Sequence, residues 1–79
     1  MKLSRLNIGE KARIISVENK SWIAQRLVEM GFSKGTEVEV AIEGLSKNLK
    51  AYRIKNTVIA IRNEVADSIN VILKSGRLQ

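Results

Sequence analysis

Gln25-Arg26-Leu27-Val28-Glu29-Met30-Gly31-Phe32-Ser33-Lys34-Gly35-Thr36 is the stretch on which the fold turns. It reads as the last two turns of a helix, a glycine stop, a second glycine turn and the entry to a strand. Leu27 and Met30 lie three apart with Ile23 one turn earlier, so the three share a helical face. Gly31 stands where a left-handed C-terminal cap falls, a conformation glycine enters without a Cβ penalty. Phe32 is placed to fold back on the last turn. Gly35 then reverses the chain, and Glu37-Val38-Glu39-Val40 alternates as a half-buried strand does.

Upstream of this stretch, Leu3 and Leu6 read as one short turn packing two leucines, followed by a bend at Gly9. Ala12–Glu18 is rich in β-branched residues and reads as the first strand, with Ile14 on one face and Ile15 and Val17 on the other. Asn19 or Ser21 offers a cap for a helix running from Trp22 to Met30. Ile23, Leu27 and Met30 form the inner stripe of that helix, widened by Ala24 and Val28.

Downstream, Thr36–Glu43 is the second strand, with Val38, Val40 and Ile42 on one face, and Gly44 ends it. Leu45-Ser46-Lys47-Asn48-Leu49 reads as a loop. Lys50–Lys55 is the third strand, with Tyr52 and Ile54 on one face. Lys55-Asn56 is a two-residue hairpin turn, and Thr57–Arg62 is a mostly buried fourth strand. Asn63 caps a single turn through Ser68. Ile69–Lys74 is the fifth strand with Ile69, Val71 and Leu73 inward, and Ser75–Gln79 is a frayed tail.

Five short strands with little helix predict one mainly β domain over residues 1–79. The expected form is a small SH3-like five-stranded barrel with one helix inserted after the first strand, since closure is the usual way to hide open edges. A five-stranded OB barrel is the alternative. Leu27, Met30, Val38, Val40, Ile59 and Val71 are expected in the core.

Composition narrows the function. The 79 residues include no cysteine and no histidine, which removes thiolate chemistry, the commonest general base and the commonest transition-metal ligand. Fourteen basic against eight acidic residues give a net charge of +6, which favours acidic partners or serves solubility alone. No apolar run reaches the roughly 20 residues of a membrane span, and no signal peptide is evident at the N-terminus. A cytoplasmic location is expected.

Catalytic motifs are missing. Gly31-Phe32-Ser33-Lys34-Gly35-Thr36 has the wrong spacing for a phosphate loop and follows a helix. Without histidine only lysine could activate a serine, and Ser-x-x-Lys does not occur. Glu37, Glu39 and Glu43 share a strand face and could offer oxygen ligands, but no calcium-loop pattern accompanies them, so they read as a solvated face with no metal or cofactor assigned. Trp22, Phe32 and Tyr52 are too few and too scattered for a base-stacking platform, which leaves nucleic-acid binding as a secondary reading carried by charge.

Protein–protein binding has more support. Trp22 opens the helix beside Arg26 one turn later, and both residue types are favoured interface anchors. The commoner role for such a tryptophan, and the one expected first for Trp22, is a half-buried residue sealing the end of the barrel. Leu45, Lys47 and Leu49 complete the candidate contact residues, as a sticky loop tip or a lid. A strand edge left open would also let copies pair into dimers or swapped forms.

Three patterns together resemble the FeoA family. They are Leu6-x-x-Gly9-x-x-Ala12-x-Ile14, Arg26-Leu27-x-Glu29-Met30-Gly31-Phe32-x-x-Gly35-Thr36-x-Val38, and Ile59-Ala60-Ile61-Arg62-x-x-x-Ala66-x-x-Ile69-x-Val71. No single motif is diagnostic, and their order and spacing carry the likeness from Leu3 to about Leu73. The resemblance implies an SH3-like barrel with an inserted helix. It also implies a non-enzymatic cytoplasmic accessory of ferrous iron uptake that binds FeoB, a membrane iron transporter with a cytoplasmic GTP-binding domain, without itself carrying iron. Regulation of GTP hydrolysis through an arginine supplied in trans, Arg26 or Arg53, is a weaker form of the same reading. The chain departs from the family where a proline often precedes the second glycine, in the proline-free segment 44–50, and at Asn56 where a glycine is common. The barrel also resembles the C-terminal domain of iron-dependent repressors, whose DNA-binding helical domain has no counterpart here.

Overall fold

The computed structural model describes residues 1–18 and 22–74. A 3₁₀ turn (Leu3–Arg5) leads into β1 (Lys11–Val17), α1 (Trp22–Met30), β2 (Glu37–Ser46), β3 (Leu49–Ile54), β4 (Thr57–Arg62), α2 (Asn63–Ala66) and β5 (Ile69–Leu73). The caps expected at Asn19 or Ser21 and the tail from Ser75 lie outside the described residues.

The end of α1 forms as the glycine spacing predicts. Gly31 adopts φ +114°. Its N–H donates to the Val28 carbonyl at 3.0 Å, and the Phe32 N–H donates to the Leu27 carbonyl at 2.9 Å. These are the paired bonds of a Schellman cap, and Phe32 and Leu27 are buried in one core cluster. The chain then turns at Gly35 (φ +91°), whose N–H donates to the Ile14 carbonyl while the Ile14 N–H donates to Thr36. The stretch that follows the helix is thereby stitched onto β1 before β2 begins.

The strands form one antiparallel sheet in the order β4-β3-β2-β1-β5. Register shifts between Ile14 and Ser16 in β1, and on both sides of Ile42 in β2, are irregularities of the kind that bend a sheet. The sheet does not close. β4 and β5 are its two edges and do not pair, so the expected barrel is overturned. The reason lies at the edges. α2 stands in the chain between β4 and β5, and the open side of β5 is taken by the first two residues: Met1 and Val71 exchange two backbone bonds (2.9 and 2.7 Å), and Lys2 bridges Asn70.

Leu3, Leu6, Ile14, Phe32, Tyr52, Ile69 and Val71 have no exposed surface, and Leu27, Val38 and Val40 are buried with them. The leading turn is tied down by Lys50, whose Nζ donates to the Ser4 carbonyl (2.8 Å) and the Leu6 carbonyl (2.7 Å). Ser4 also donates to Asp67 beyond α2.

Several expected core positions differ. Met30 is 37% exposed because the helix is anchored by Leu27, the one buried residue of α1, and Met30 lies off that contact. Ile42 is exposed because the register shift after Val40 breaks the alternation. The same irregularity puts Ala51 inside beside Tyr52. Gly44 does not end β2: at φ +82° it lets the strand run on to Ser46, and only Lys47-Asn48 turns. At Lys55-Asn56 the positive φ falls on Lys55 rather than Asn56. β4 is an edge strand and mostly exposed, with Ile61 buried and Ile59 half-buried. Ile15, at the shift in β1, and Leu73, the last residue of β5, are also exposed. Asn63 is the first residue of α2, not its cap, and makes no side-chain cap bond; Arg62 holds the cap position.

Tyr52 stacks edge-on against Phe32, with ring centroids 6.5 Å apart. Its hydroxyl is buried without a hydrogen-bond partner among the described residues. Burial, reinforced by the Asp67 and Glu43 carboxylates, pushes its pKa up to about 12 from 10.0. Folding favours the protonated phenol. The stability this gives is complete below the unfolded pKa of 10.0 and is lost as pH rises towards about 12. Tyr52→Phe keeps the ring and removes the unpaired hydroxyl, so it should be neutral or mildly stabilising at neutral pH. Urea titrations of both proteins between about pH 8 and pH 11 should show the Phe variant gaining relative to the parent as pH rises. A constant difference would show that the phenol does not titrate differently on folding.

Candidate functional site

Trp22, Arg26 and Met30 repeat every four residues along α1 and fall on one face of the helix. Leu27 seats the helix and half-buried Ile23 packs against the core. The exposed face therefore stands over β4 and α2, and a groove of about 650 Å³ opens between them. Its walls are Trp22, Ile23, Arg26, Leu27 and Met30 from α1, Ala60, Ile61 and Arg62 from β4, and Val65 from α2.

The surface is apolar with a positive rim. Trp22 is 71% exposed, so it does not seal the fold. Arg26 and Arg62 make no ion pair among the described residues, and no carboxylate lines the groove. An exposed indole beside two unpaired guanidiniums suits a partner that offers apolar and acidic groups together.

Of the residues expected to contact a partner, Trp22 and Arg26 meet in this groove. Leu45, Lys47 and Leu49 do not line it. They occupy the β2–β3 hairpin tip, where Leu45 is half exposed and Leu49 pairs across the ladder with Arg62. The tip thus borders the groove at one end. Ala60 and Arg62 enter the sequence reading only through the family pattern, and nothing in the sequence marks them or Val65 as contact residues. Their tertiary placement beside α1 is what brings them in, and only the exposure of β4 as an edge strand would have signalled it.

The acidic residues of β2 do not converge. Glu37 pairs with Lys74, whose hydrogen bond and charge hold the Glu37 carboxyl below its usual pKa. Glu39 lies 3.7 Å from Arg53, and Glu43 accepts the Ile8 N–H at 2.8 Å. Among the described residues no three carboxylates gather as a metal set. No helix among them is long and apolar enough to cross a membrane.

A small antiparallel sheet carrying one capped helix over an apolar, positively rimmed groove has the form of a binding module. Residues 1–73 match the FeoA domain family, and the chain belongs to it. It is 35% identical over 75 residues to an Fe(2+) transport protein A/Fe(2+) transporter FeoB fusion protein of Porphyromonas gingivalis, covering 95% of this chain and 9% of that protein. It superposes with a TM-score of 0.86 on the solution structure of iron(II) transport protein A from Clostridium thermocellum, at 37% identity, covering 92% of this chain and 45% of that one. It also matches the crystal structure of Stenotrophomonas maltophilia FeoA complexed with zinc, with a TM-score of 0.82 and 32% identity, covering 91% and 89% of the two chains.

Proposed function

We propose that this chain acts as a single cytoplasmic domain that docks on the cytoplasmic part of a FeoB-like ferrous iron transporter through the α1–β4 groove. The observation that carries the reading is the exposed Trp22 beside unpaired Arg26 over an apolar floor. Support for the partner comes from the P. gingivalis protein, in which a transport protein A and a FeoB transporter are one fusion protein. The hairpin tip with Leu45, Lys47 and Leu49 is the flanking contact. Iron is the cargo of the partner in this reading, and none of the described residues is assigned to hold it.

Titration of the purified cytoplasmic domain of the transporter tests this. Trp22→Ala should weaken binding by about 2 kcal/mol or more, near thirty-fold, with the fold unchanged. Arg26→Glu should weaken it further at low salt than at high salt. Equal affinity of Trp22→Ala and the parent would remove the groove as the docking surface.

A further inference from the structure

The groove has a feature that side chains alone do not explain: its β4 wall is an unpaired strand edge. Lys55-Asn56 is a two-residue turn, so Ile54 and Thr57 are hydrogen-bonded partners and the bonded pairs alternate from there. At the far end the Asn63 N–H donates to the Asn48 carbonyl at 2.7 Å, which places Leu49 and Arg62 as a non-bonded pair. Both ends give the same phase. Thr57, Ile59 and Ile61 direct their backbone groups to β3, and Val58, Ala60 and Arg62 direct theirs outward.

The other edge of the sheet is covered, since the first two residues of the chain bond to Asn70 and Val71 on β5. On β4 there is no proline, no lysine and no covering segment among the described residues, and Arg62 is the one charge among the three outward positions. A bare edge is normally blunted against unwanted pairing. Here it runs into the groove: Ala60 and Arg62 lie within it, under Trp22, Ile23 and Met30.

We infer that β4 captures an extended, acidic and apolar segment of a partner protein by strand addition. This rests on the docking reading above and specifies its mode. The backbone of the segment pairs with Val58, Ala60 and Arg62. Its alternate apolar side chains meet Trp22, Ile23 and Met30, and its carboxylates meet the unpaired guanidiniums of Arg26 and Arg62. The net charge of +6 selects an acidic segment over a second copy of this chain, whose approach it opposes.

Ala60→Pro tests the mode. Its ring removes an outward N–H and no bond of the β3–β4 ladder, and proline is tolerated at such edge positions. The probes are a decapeptide of alternating Glu and Val and its Lys and Val counterpart, read by amide shifts and hydrogen exchange. The Glu peptide should slow exchange at Val58, Ala60 and Arg62, bind about ten-fold more tightly than the Lys peptide, and lose about ten-fold in Ala60→Pro. Overturning results are no binding of the Glu peptide, equal binding by Ala60→Pro, or a concentration-dependent dimer of the parent that Ala60→Pro abolishes, which would assign the edge to a second copy. The transporter domain separates the two readings. If Trp22→Ala weakens its binding and Ala60→Pro does not, strand addition fails and docking stands. If neither variant weakens it, both fail, and if both weaken it, strand addition is supported.

Discussion

Leu27→Ala should remove about 2–4 kcal/mol of unfolding free energy, read from urea titration. Leu27 is 2% exposed and is the one residue that α1 buries fully. Truncating it leaves a cavity and also weakens the seat of Phe32, whose N–H bonds the Leu27 carbonyl and whose ring packs in the same cluster. A domain of this length has roughly 4–12 kcal/mol in total, so the loss is a large share of it. The damage should also be local. Amides of α1 should exchange faster than those of β1 and β5, which pack on the leading turn and on each other, because sub-global opening of a weakly anchored helix costs less than unfolding the sheet. A loss under about 0.5 kcal/mol would show that the helix is not held by this residue.

The same anchoring explains what the sequence could and could not reveal. The helix stop at Gly31, the return of Phe32 and the two-residue turn at Lys55-Asn56 are legible because each is fixed by a few adjacent residues. The limits of β4, Thr57–Arg62, follow from its β-branched run. Burial along that strand is not encoded in the same run, since β-branched residues suit both an edge and a centre, and pattern alone does not say which neighbour is absent. Ile42 was misplaced for a related reason. Its alternation with Val38 and Val40 is intact in sequence, and the bulge that breaks it depends on how β3 lies against β2. Closure of the sheet failed as an inference because nothing local to β4 or β5 encodes whether they meet. That outcome depends on the first two residues reaching β5 and on α2 standing between the strands.

The groove divides in the same way. Trp22 and Arg26 stood out as an interface pair at i and i+4. Met30 looked like core because it falls on the stripe of Leu27, yet a helix seated by one leucine buries only a narrow line and leaves the next turn at the rim. Arg62 looked like the polar end of a strand, and its position under α1 is purely tertiary. The exposed hairpin tip around Leu45 was expected as a loop and is instead ordered strand, since Gly44 accommodates the bend without ending the ladder.

Gly31→Ala should cost about 2–4 kcal/mol, from two separable causes. The first is backbone. At φ +114° a side chain is strained whatever space surrounds it. The second is contact: a Cβ at this position would lie 2.9 Å from Ile54 Cδ1, and Ile54 is 2% exposed, so its methyl has little room to retreat. Gly35 supplies the control. It too has a left-handed φ, +91°, but a Cβ there meets nothing within 4 Å. Gly35→Ala should therefore show the backbone cost alone, about 1–2 kcal/mol. Ile54→Val removes the clashing methyl, so the double variant Gly31→Ala/Ile54→Val should be more stable than the sum of its single effects by about 1 kcal/mol. If Gly31→Ala proves no worse than Gly35→Ala and shows no coupling to Ile54, the cap needs glycine for its backbone only. The close approach of α1 to β3 then does not depend on the missing side chain.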